Sequence, residues 1–354
     1  MLVDYNRRGI LKGLTSLALT SIAPTSNVAA AENKPGESKL RGVSISGGEF
    51  YNRTGGVAGR QYFYPDQRDI DYFLRRGFNL IRVPFKWERV QRTVFGELDS
   101  GIDFRQLLRS VELITSRGAV CILDLHNYGR RSEGGSSNII GSDGLPAEAL
   151  QDFWIRAGQS FQSDKVWFGL MNEPHGIDAT QWAKICGDCI RALRANGSKN
   201  KILVPGTAWT GAHSWISSGN AKAFEDFSDP LNNFLFEVHQ YLDSDSSGTS
   251  GKCKPDAGNS RLTPFEKWCK MKPGRRGFLG EFGAGSPLVP GQENCAEELS
   301  AMLSRIDSNG DVWAGWAAWG GGRWWKPDYI MRLQGLSNAA DTEYMRILME
   351  FARS

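Results

Sequence analysis

Residues 166–174 read VWFGLMNEP, an apolar run that ends abruptly in Asn172, Glu173 and Pro174. Consecutive apolar side chains are typical of a strand that is buried on both faces. Pro174 has no amide hydrogen with which to continue such a strand. The pattern therefore predicts that Asn172 and Glu173 lie at the carboxyl end of an inner strand.

A second stretch of the chain has the same form. Residues 275–283 read RRGFLGEFG, and Glu281 follows the apolar residues Phe278 and Leu279. Two carboxylic acids at the ends of inner strands suit glycoside hydrolysis, in which one protonates the leaving group and the other acts as nucleophile. The sequence therefore predicts that Glu173 is the acid/base and Glu281 the nucleophile of a retaining glycosidase.

Strand-like and helix-like segments alternate along the rest of the chain. Apolar, strand-like runs cover residues 40–45, 79–85, 119–125, 166–171, 201–205, 233–239, 277–280 and 312–316. Amphipathic, helix-like stretches cover residues 69–76, 104–117, 147–161, 179–195, 221–227, 264–270 and 297–306, with 342–351 closing the chain. Eight such units predict an α/β fold, a single (β/α)8 TIM barrel. A doubly wound open sheet is the alternative, although no G-x-G-x-x-G motif follows the first strand.

The amino terminus has the features of an export signal. Residues 6–12, NRRGILK, match the twin-arginine pattern, an apolar run follows at 14–23, and residues 29–31 form a small-residue cleavage site. About ten apolar residues are too few to span a bilayer. We expect export to the periplasm or the exterior and no membrane association. The predicted boundaries are 1–31 for the signal peptide, 32–38 for a short linker and 39–354 for the catalytic domain.

The charge of the chain is nearly balanced, with 42 Lys and Arg against 39 Asp and Glu. Such a balance provides no electrostatic basis for binding nucleic acid and is compatible with a neutral polymer. Twelve tryptophans are present, and flat aromatic rings are good platforms for sugars. We therefore expect a polysaccharide as the partner and a monomeric protein.

Polar residues at other strand ends have roles that fit this chemistry, because functional residues of such barrels lie at the carboxyl ends of the strands. Arg82 is placed to hold Glu281 ionised, and Tyr241 to donate its hydroxyl to the same carboxylate. Asn172 is expected to bind the sugar 2-hydroxyl. His126 and His239 are expected to be neutral hydrogen-bond partners.

Aromatic residues at the strand ends are candidates for substrate binding. We expect Trp319 to form the floor beneath the sugar that is cleaved. We expect Trp209, Trp215, Trp324 and Trp325 to extend this platform. Asn127 is a polar candidate for substrate binding.

A metal site is the alternative interpretation of Asp124 and His126, which are separated by one residue. Metal-dependent sites usually gather several His or carboxylate ligands, so we predict neither a metal nor a cofactor. Cys186 and Cys189 lie in a helical pattern and are interpreted as packing residues, and Cys121 as a buried, unreactive thiol.

The sequence resembles the endo-β-1,4-glucanases (cellulases) of glycoside hydrolase family 5, in the branch that includes fungal secreted enzymes. The resemblance runs from about Leu40 to the end of the chain. The motifs that carry it are RVPF at 82–85, DLHNYGR at 124–130, NEP at 172–174, HQYLDSDSSGT at 239–249, GEFG at 280–283 and the Trp-rich segment 316–325.

The resemblance implies a retaining mechanism, with Glu173 as acid/base and Glu281 as nucleophile, and internal cleavage of β-1,4-glucan without a cofactor. It also implies a disulfide between Cys253 and Cys295. Many cellulases carry a separate cellulose-binding module, which is not seen here, so soluble or amorphous glucan is the expected substrate. Mannan, xyloglucan or mixed-linkage glucan is an alternative substrate, and a non-catalytic glycan-binding barrel is an alternative function.

Overall fold

The computed structural model describes residues 39–51, 56–98, 101–335 and 341–353. The predicted signal peptide and linker, residues 1–38, lie outside the described residues. Within those ranges, no helix combines the length and the apolar character needed to cross a bilayer.

Eight parallel strands close into a barrel, which confirms the predicted (β/α)8 fold. They are β1 (Leu40–Ile45), β2 (Leu80–Phe85), β3 (Val120–Leu125), β6 (Val166–Gly169), β7 (Ile202–Pro205), β8 (Phe234–Tyr241), β9 (Gly277–Gly283) and β10 (Trp313–Gly321). Each strand pairs with the next along the chain, and β10 closes the barrel against β1. All eight predicted strands are present, although β8, β9 and β10 extend further toward the rim than predicted.

Helices cover the outside of the barrel, as the amphipathic stretches predict. The described helices are α1 (Gln67–Leu74), α2 (Trp87–Val90), α3 (Ile102–Thr115), α4 (Glu148–Ser160), α5 (Ala179–Ala195), α6 (Asn220–Ala223), α7 (Ala257–Ser260), α8 (Thr263–Lys270), α9 (Cys295–Ser308) and α10 (Glu343–Ala352). Asp178 caps α5 by accepting hydrogen bonds from the amides of Thr180 and Gln181. The predicted helix at 221–227 is a single turn, and the short helices α2 and α7 were not predicted.

The interior of the barrel changes from apolar to polar along the strands. Its lower layer is an apolar cluster of Leu80, Ile122, Trp167, Leu203, Leu235, Phe278 and Ala317. Side chains two positions apart on a strand share a face. Arg82, Asp124 and Glu237 therefore lie directly above Leu80, Ile122 and Leu235. The apolar layer supports a buried, charged layer beneath the rim.

An antiparallel hairpin, which the sequence pattern did not predict, lies in the loop after β3. Its strands are β4 (Arg130–Glu133) and β5 (Ser136–Ile139). Gly134 and Gly135 form the turn with φ of 58° and 88°. Two left-handed residues in succession are typical of a two-residue hairpin turn, and glycine adopts them without a steric penalty.

A disulfide joins Cys253 to Cys295, as the family resemblance implies. It connects the loop after β8 with the first residue of α9. The other cysteines, Cys121, Cys186, Cys189 and Cys269, are free and buried. Burial raises the pKa of the Cys121 thiol, which agrees with an unreactive packing role.

Replacing Cys253 and Cys295 together with serine should lower the free energy of unfolding by up to about 4 kcal/mol, because the bridge closes a loop in the unfolded chain. The separation between the two residues is 42 positions. Thermal unfolding with and without dithiothreitol measures the effect. The wild-type protein should lose stability on reduction, whereas the double variant should not respond. An equal response of both proteins would contradict this prediction.

Candidate active site

The two predicted catalytic carboxylates meet at the carboxyl-terminal rim of the barrel. Glu173 follows β6, and Glu281 lies in β9. Three atoms lie within 4.8 Å of one another: a carboxylate oxygen of Glu173, a carboxylate oxygen of Glu281 and a ring nitrogen of His239. Carboxyl groups of retaining glycosidases are about 5–5.5 Å apart, whereas inverting enzymes need about 6.5–9.5 Å. The geometry therefore fits direct nucleophilic attack by one carboxylate.

Both oxygens of the Glu281 carboxylate accept hydrogen bonds. Nη1 of Arg82 lies 3.1 Å from Oε2, and the hydroxyl of Tyr241 donates to Oε1. Burial raises the pKa of Glu281, and the charge of Glu173 raises it further, while the charges of His239 and Arg82 oppose this. The hydrogen-bond donors on Glu281 favour its ionised form and so oppose the effect of burial.

The guanidinium of Arg82 is completely buried at the centre of the charged layer. It donates to Oδ1 of Asn172 at 2.7 Å and forms ion pairs with Asp124 at 2.9 Å and Glu281 at 3.1 Å. Burial lowers the pKa of Arg82, but the charges of Asp124, Glu237 and Glu281 outweigh that effect and raise it. Arg82 therefore remains a cation that fixes both the nucleophile and Asn172.

The side chain of Glu173 is partly open to solvent, with 15% exposure, and one of its oxygens lies 2.8 Å from Nδ1 of His239. The backbone of Glu173 is left-handed, with φ of 43°. Such a conformation is strained for a residue other than glycine and is often found at functional sites. The strained backbone is consistent with a functional requirement on the orientation of the Glu173 side chain.

The protonation state of His239 differs from the expected neutral one. Burial lowers the pKa of His239, but the charge of Glu281 and hydrogen bonds to Glu173 and Glu237 more than compensate, and raise it to about 10. The prediction of a neutral ring at this position was therefore wrong. The sequence could not show that His239 lies among several carboxylates.

His126 is held in place by Asp124 and Tyr128. Its Nδ1 lies 2.7 Å from a carboxylate oxygen of Asp124, and its Nε2 lies 3.1 Å from the hydroxyl of Tyr128. Trp319 stacks against the His126 ring with centroids 5.5 Å apart, and its indole N–H donates to Tyr329. The indole of Trp319 is therefore held in orientation by His126 and Tyr329.

Glu173, His239 and Glu281 are also close enough together to share a metal ion. However, the His239 ring is hydrogen-bonded to Glu173, and Arg82 and Tyr241 already donate to both oxygens of Glu281. The contacts of these three residues therefore fit a hydrogen-bonded pair of carboxylates better than a metal site. Asp124 is likewise engaged by Arg82 and His126, as a structural counter-charge.

Trp209 presents an open aromatic face at the rim. It is 55% exposed, and its ring stacks on His175 with centroids 4.7 Å apart. Ala208, Trp209 and Thr210 are all left-handed, with φ of 54°, 56° and 51°. Each such residue costs about 1–2 kcal/mol. The Thr210 hydroxyl, which donates to the backbone oxygen of Glu237 at 2.6 Å, helps to hold this turn.

The other predicted tryptophans are less open. Trp324 stacks on Phe63 at 3.4 Å, and the Arg323 guanidinium lies over the same ring at 4.6 Å. Trp324 is partly buried and borders two cavities. Trp325 stacks on Tyr329 at 3.9 Å and is partly buried.

Two further predicted residues have engaged side chains. Trp215 is completely buried and packs against Phe224, Phe265 and other aromatic rings, so its assignment to the platform was wrong. The chain turns inward after Trp209, which a sequence pattern does not show. The Asn127 amide accepts from the amide of Trp87 and donates to Glu88. A role of Asn127 in substrate binding stays a prediction.

Two cavities are bordered by residues that follow the barrel strands at the carboxyl-terminal rim. One of about 640 Å³ is bordered by Lys86, Tyr128, Arg130, His175 and the β4–β5 hairpin. Another of about 690 Å³ lies along Trp325, Tyr329 and the loop at Gly248. Both volumes fall in the range of about 300–1,000 Å³ that ligand pockets occupy.

Sequence reasoning missed three residues of the site: Glu237, Tyr128 and His175. The first gives a usable signal, because Glu237, His239 and Tyr241 alternate along β8 and share its inner face. Tyr128 and His175 lie in loops, where no periodicity marks the direction of a side chain.

Comparisons with known proteins agree with this geometry. The family model described as Cellulase (glycosyl hydrolase family 5) matches residues 30–322. Endo-beta-1,4-glucanase B of Aspergillus niger is 35% identical over 311 residues, which are 87% of this chain and 88% of that protein.

Solved structures are similar as well. An endo-beta-1,4-glucanase from Xanthomonas axonopodis pv. citri with a triple mutation is 43% identical, has a TM-score of 0.83, and covers 89% of this chain and 99% of its own. XacCel5A in complex with cellopentaose is 43% identical, has a TM-score of 0.82, and covers 88% of this chain and 99% of its own. Because the family model matches most of the chain, this protein belongs to the cellulase family, glycosyl hydrolase family 5.

Proposed function

We propose that this enzyme is a retaining endo-β-1,4-glucanase in which Glu281 is the nucleophile and Glu173 the acid/base. The observation that carries the assignment is the approach of the two carboxylates to within 4.8 Å. In the first half of the reaction, Glu281 forms a bond to the anomeric carbon while Glu173 protonates the departing glycosidic oxygen. In the second half, Glu173 takes a proton from water, and that water releases the sugar from Glu281.

The supporting residues have roles that follow from their contacts. Arg82 and Tyr241 keep the Glu281 carboxylate oriented and ionised before attack. Asn172 is fixed by Arg82 at one end of its amide and lies 3.3 Å from His126 at the other. We propose that this amide binds the sugar 2-hydroxyl, an interaction that strengthens in the transition state.

The proposed substrate is a β-1,4-glucan. It is supported by the relatives, which are endo-beta-1,4-glucanases, and by the binding of cellopentaose to one of them. A reducing-sugar assay on carboxymethyl cellulose, mannan, xyloglucan and mixed-linkage glucan tests the assignment. We expect the highest kcat/KM on an unbranched β-1,4-glucan, with a rapid fall in viscosity showing internal cleavage. Activity confined to mannan would replace the substrate, and inactivity on every glycan would favour a binding protein.

Replacing Trp209 with alanine should raise KM for cello-oligosaccharides by about 5- to 150-fold, because stacking on an aromatic ring contributes about 1–3 kcal/mol where it has been measured for planar bases. The expected effect on kcat for a short aryl glycoside is small, since the ring touches no reacting atom. Trp324→Ala is the comparison variant, because Phe63 stacks on that ring and the Arg323 guanidinium lies over it, whereas Trp209 is 55% exposed. An equal loss of affinity in the two variants would contradict the assignment of Trp209 as a platform.

We also propose that the protein is exported through the twin-arginine route, and that the mature enzyme acts as a monomer. The proposed export rests on residues 6–12 of the sequence. Replacing both Arg7 and Arg8 with lysine should leave the precursor inside the cell, as fractionation and immunoblotting would show. Normal export of that variant would rule out the route, and a dimer in light scattering would rule out the monomer.

A further inference from the structure

Glu237 is a buried carboxylate that the catalytic cycle described above does not use. It lies in β8, one position below His239 on the face that lines the barrel, and it is almost fully enclosed. Its Oε1 is 3.4 Å from Nε of Arg82 and 3.6 Å from Nε2 of His239. Among the described residues, none of these three atoms has a closer hydrogen-bond partner.

The barrel interior is shaped to admit this side chain. A Cβ at Gly280 on the neighbouring strand would lie 2.1 Å from Oε1 of Glu237. A Cβ at Gly169 would lie 3.6 Å from Oε2. Any side chain at position 280 would therefore displace the carboxylate, so the space at Gly280 is matched to Glu237.

The His239 ring lies between two carboxylates. Nδ1 lies 2.8 Å from Glu173, and Nε2 faces Glu237. A neutral imidazole has a single N–H and can donate to only one of them, whereas an imidazolium donates to both. The arrangement therefore favours the cation, in agreement with the raised pKa of His239.

The charges around His239 change during the proposed reaction. Besides Glu237, the carboxylates of Glu173, Glu281 and Asp124 interact with it, and the Arg82 cation is paired with Asp124 and Glu281. The charge of Glu281 supports the cation in the resting enzyme but disappears when that carboxylate becomes esterified. Glu237 lies below the rim and forms no bond in the proposed reaction, so it still faces Nε2 of His239 in the covalent intermediate.

We propose that Glu237 is a positioning residue that keeps His239 an imidazolium throughout the cycle, so that Nδ1–H stays directed at Glu173. The hydrogen bond from His239 then stabilises Glu173 as a carboxylate in the second half of the reaction, when it must accept a proton from water. This catalytic consequence rests on the proposed function, whereas the protonation of His239 does not.

The test is the titration of His239 in the full-length mature enzyme labelled with ¹⁵N-histidine. The chain has only four histidines, so the four rings can be assigned by single substitutions. In the wild type, both nitrogens of His239 should remain protonated at pH 8. In Glu237→Gln, which keeps the size and removes the charge, the midpoint should fall by about one pH unit or more. An unchanged midpoint in Glu237→Gln would overturn the proposal.

Two further variants separate charge from packing. Glu237→Asp retains the charge and should restore most of the high midpoint. Gly280→Ala retains Glu237 but displaces its carboxylate, so it should lower the midpoint even if Glu237→Gln fails to fold. A midpoint that stays high in Gly280→Ala, or that falls equally in Glu237→Asp and Glu237→Gln, would contradict the proposal.

Kinetics provide the second readout. Glu237→Gln should lower kcat on cello-oligosaccharides by about 10- to 100-fold with KM within about twofold, since Glu237 touches no substrate. If Glu237→Gln lowered the His239 midpoint but kept the wild-type kcat, the proposed effect on catalysis would be wrong, and the proposed effect on His239 would stand. Inactivity of the wild type on all glycans, with the midpoint still lowered, would instead count against the proposed function.

Discussion

Glu281→Gln is expected to lower kcat on carboxymethyl cellulose on the order of 10⁵-fold, because the amide oxygen cannot form the covalent bond that divides the reaction into two steps. KM should change little, since the variant keeps the shape of the site. Arg82 and Tyr241 would then face a neutral amide, and one of them loses an acceptor. The loss of activity therefore has a chemical origin and not a loss of substrate contacts.

The measurement is the release of reducing ends, with circular dichroism to verify folding. Glu112→Gln is a matched control, because Glu112 lies on the exposed face of α3 and should leave kcat unchanged. Trapping with a 2-fluoro-cellobioside adds an independent readout: mass should be added to the wild type and not to Glu281→Gln. Covalent labelling of a residue other than Glu281 would refute the assignment of the nucleophile.

Glu173→Ala is expected to lower activity on the polymer by about 10²–10⁴-fold, because the glycosidic oxygen then departs without a proton. The first step should survive on 2,4-dinitrophenyl cellobioside, whose leaving group needs no protonation. The variant should therefore show a burst of dinitrophenol followed by slow turnover, since no base remains to activate water.

Azide discriminates between this role and a general defect. A small anion can enter the space left by Glu173, which is partly open to solvent, and attack the glycosyl-enzyme without needing a base. Turnover should rise with azide, and the product should be the β-cellobiosyl azide, which shows retention through two displacements. If azide gave no rescue, or if the product were the α-azide, the proposed mechanism would be wrong.

The barrel and the meeting of two carboxylates at its rim could be predicted because they leave a strong local signal. Runs such as residues 166–171 are apolar on both faces, as buried parallel strands must be, and Pro174 marks the strand end. The position of a carboxylate after such a run fixes which rim it occupies. Convergence of Glu173 and Glu281 then follows from the closure of the barrel.

The remaining features depend on contacts that a sequence does not display. Glu237 interrupts an apolar run, and its role could not be predicted because it depends on the proximity of Gly280 and Arg82 in the folded barrel. The β4–β5 hairpin was not predicted because its strands are polar and lack an alternating apolar pattern, and a pair of glycines forms its turn. Trp209 and Trp215 are six positions apart, and the strained turn sends one to the rim and the other to the core.

The turn at 208–210 also makes Trp209 an intrinsic fluorescent probe of the cleft. Trp209 is open to solvent, whereas Trp87, Trp154, Trp182, Trp215, Trp268 and Trp316 are fully enclosed. Iodide or acrylamide in the medium would therefore quench chiefly the red-shifted emission from the rim, while the enclosed indoles stay bright. A glycan lying on Trp209 would shield it from the quencher, so that occupancy of the cleft can be followed by fluorescence without any attached dye.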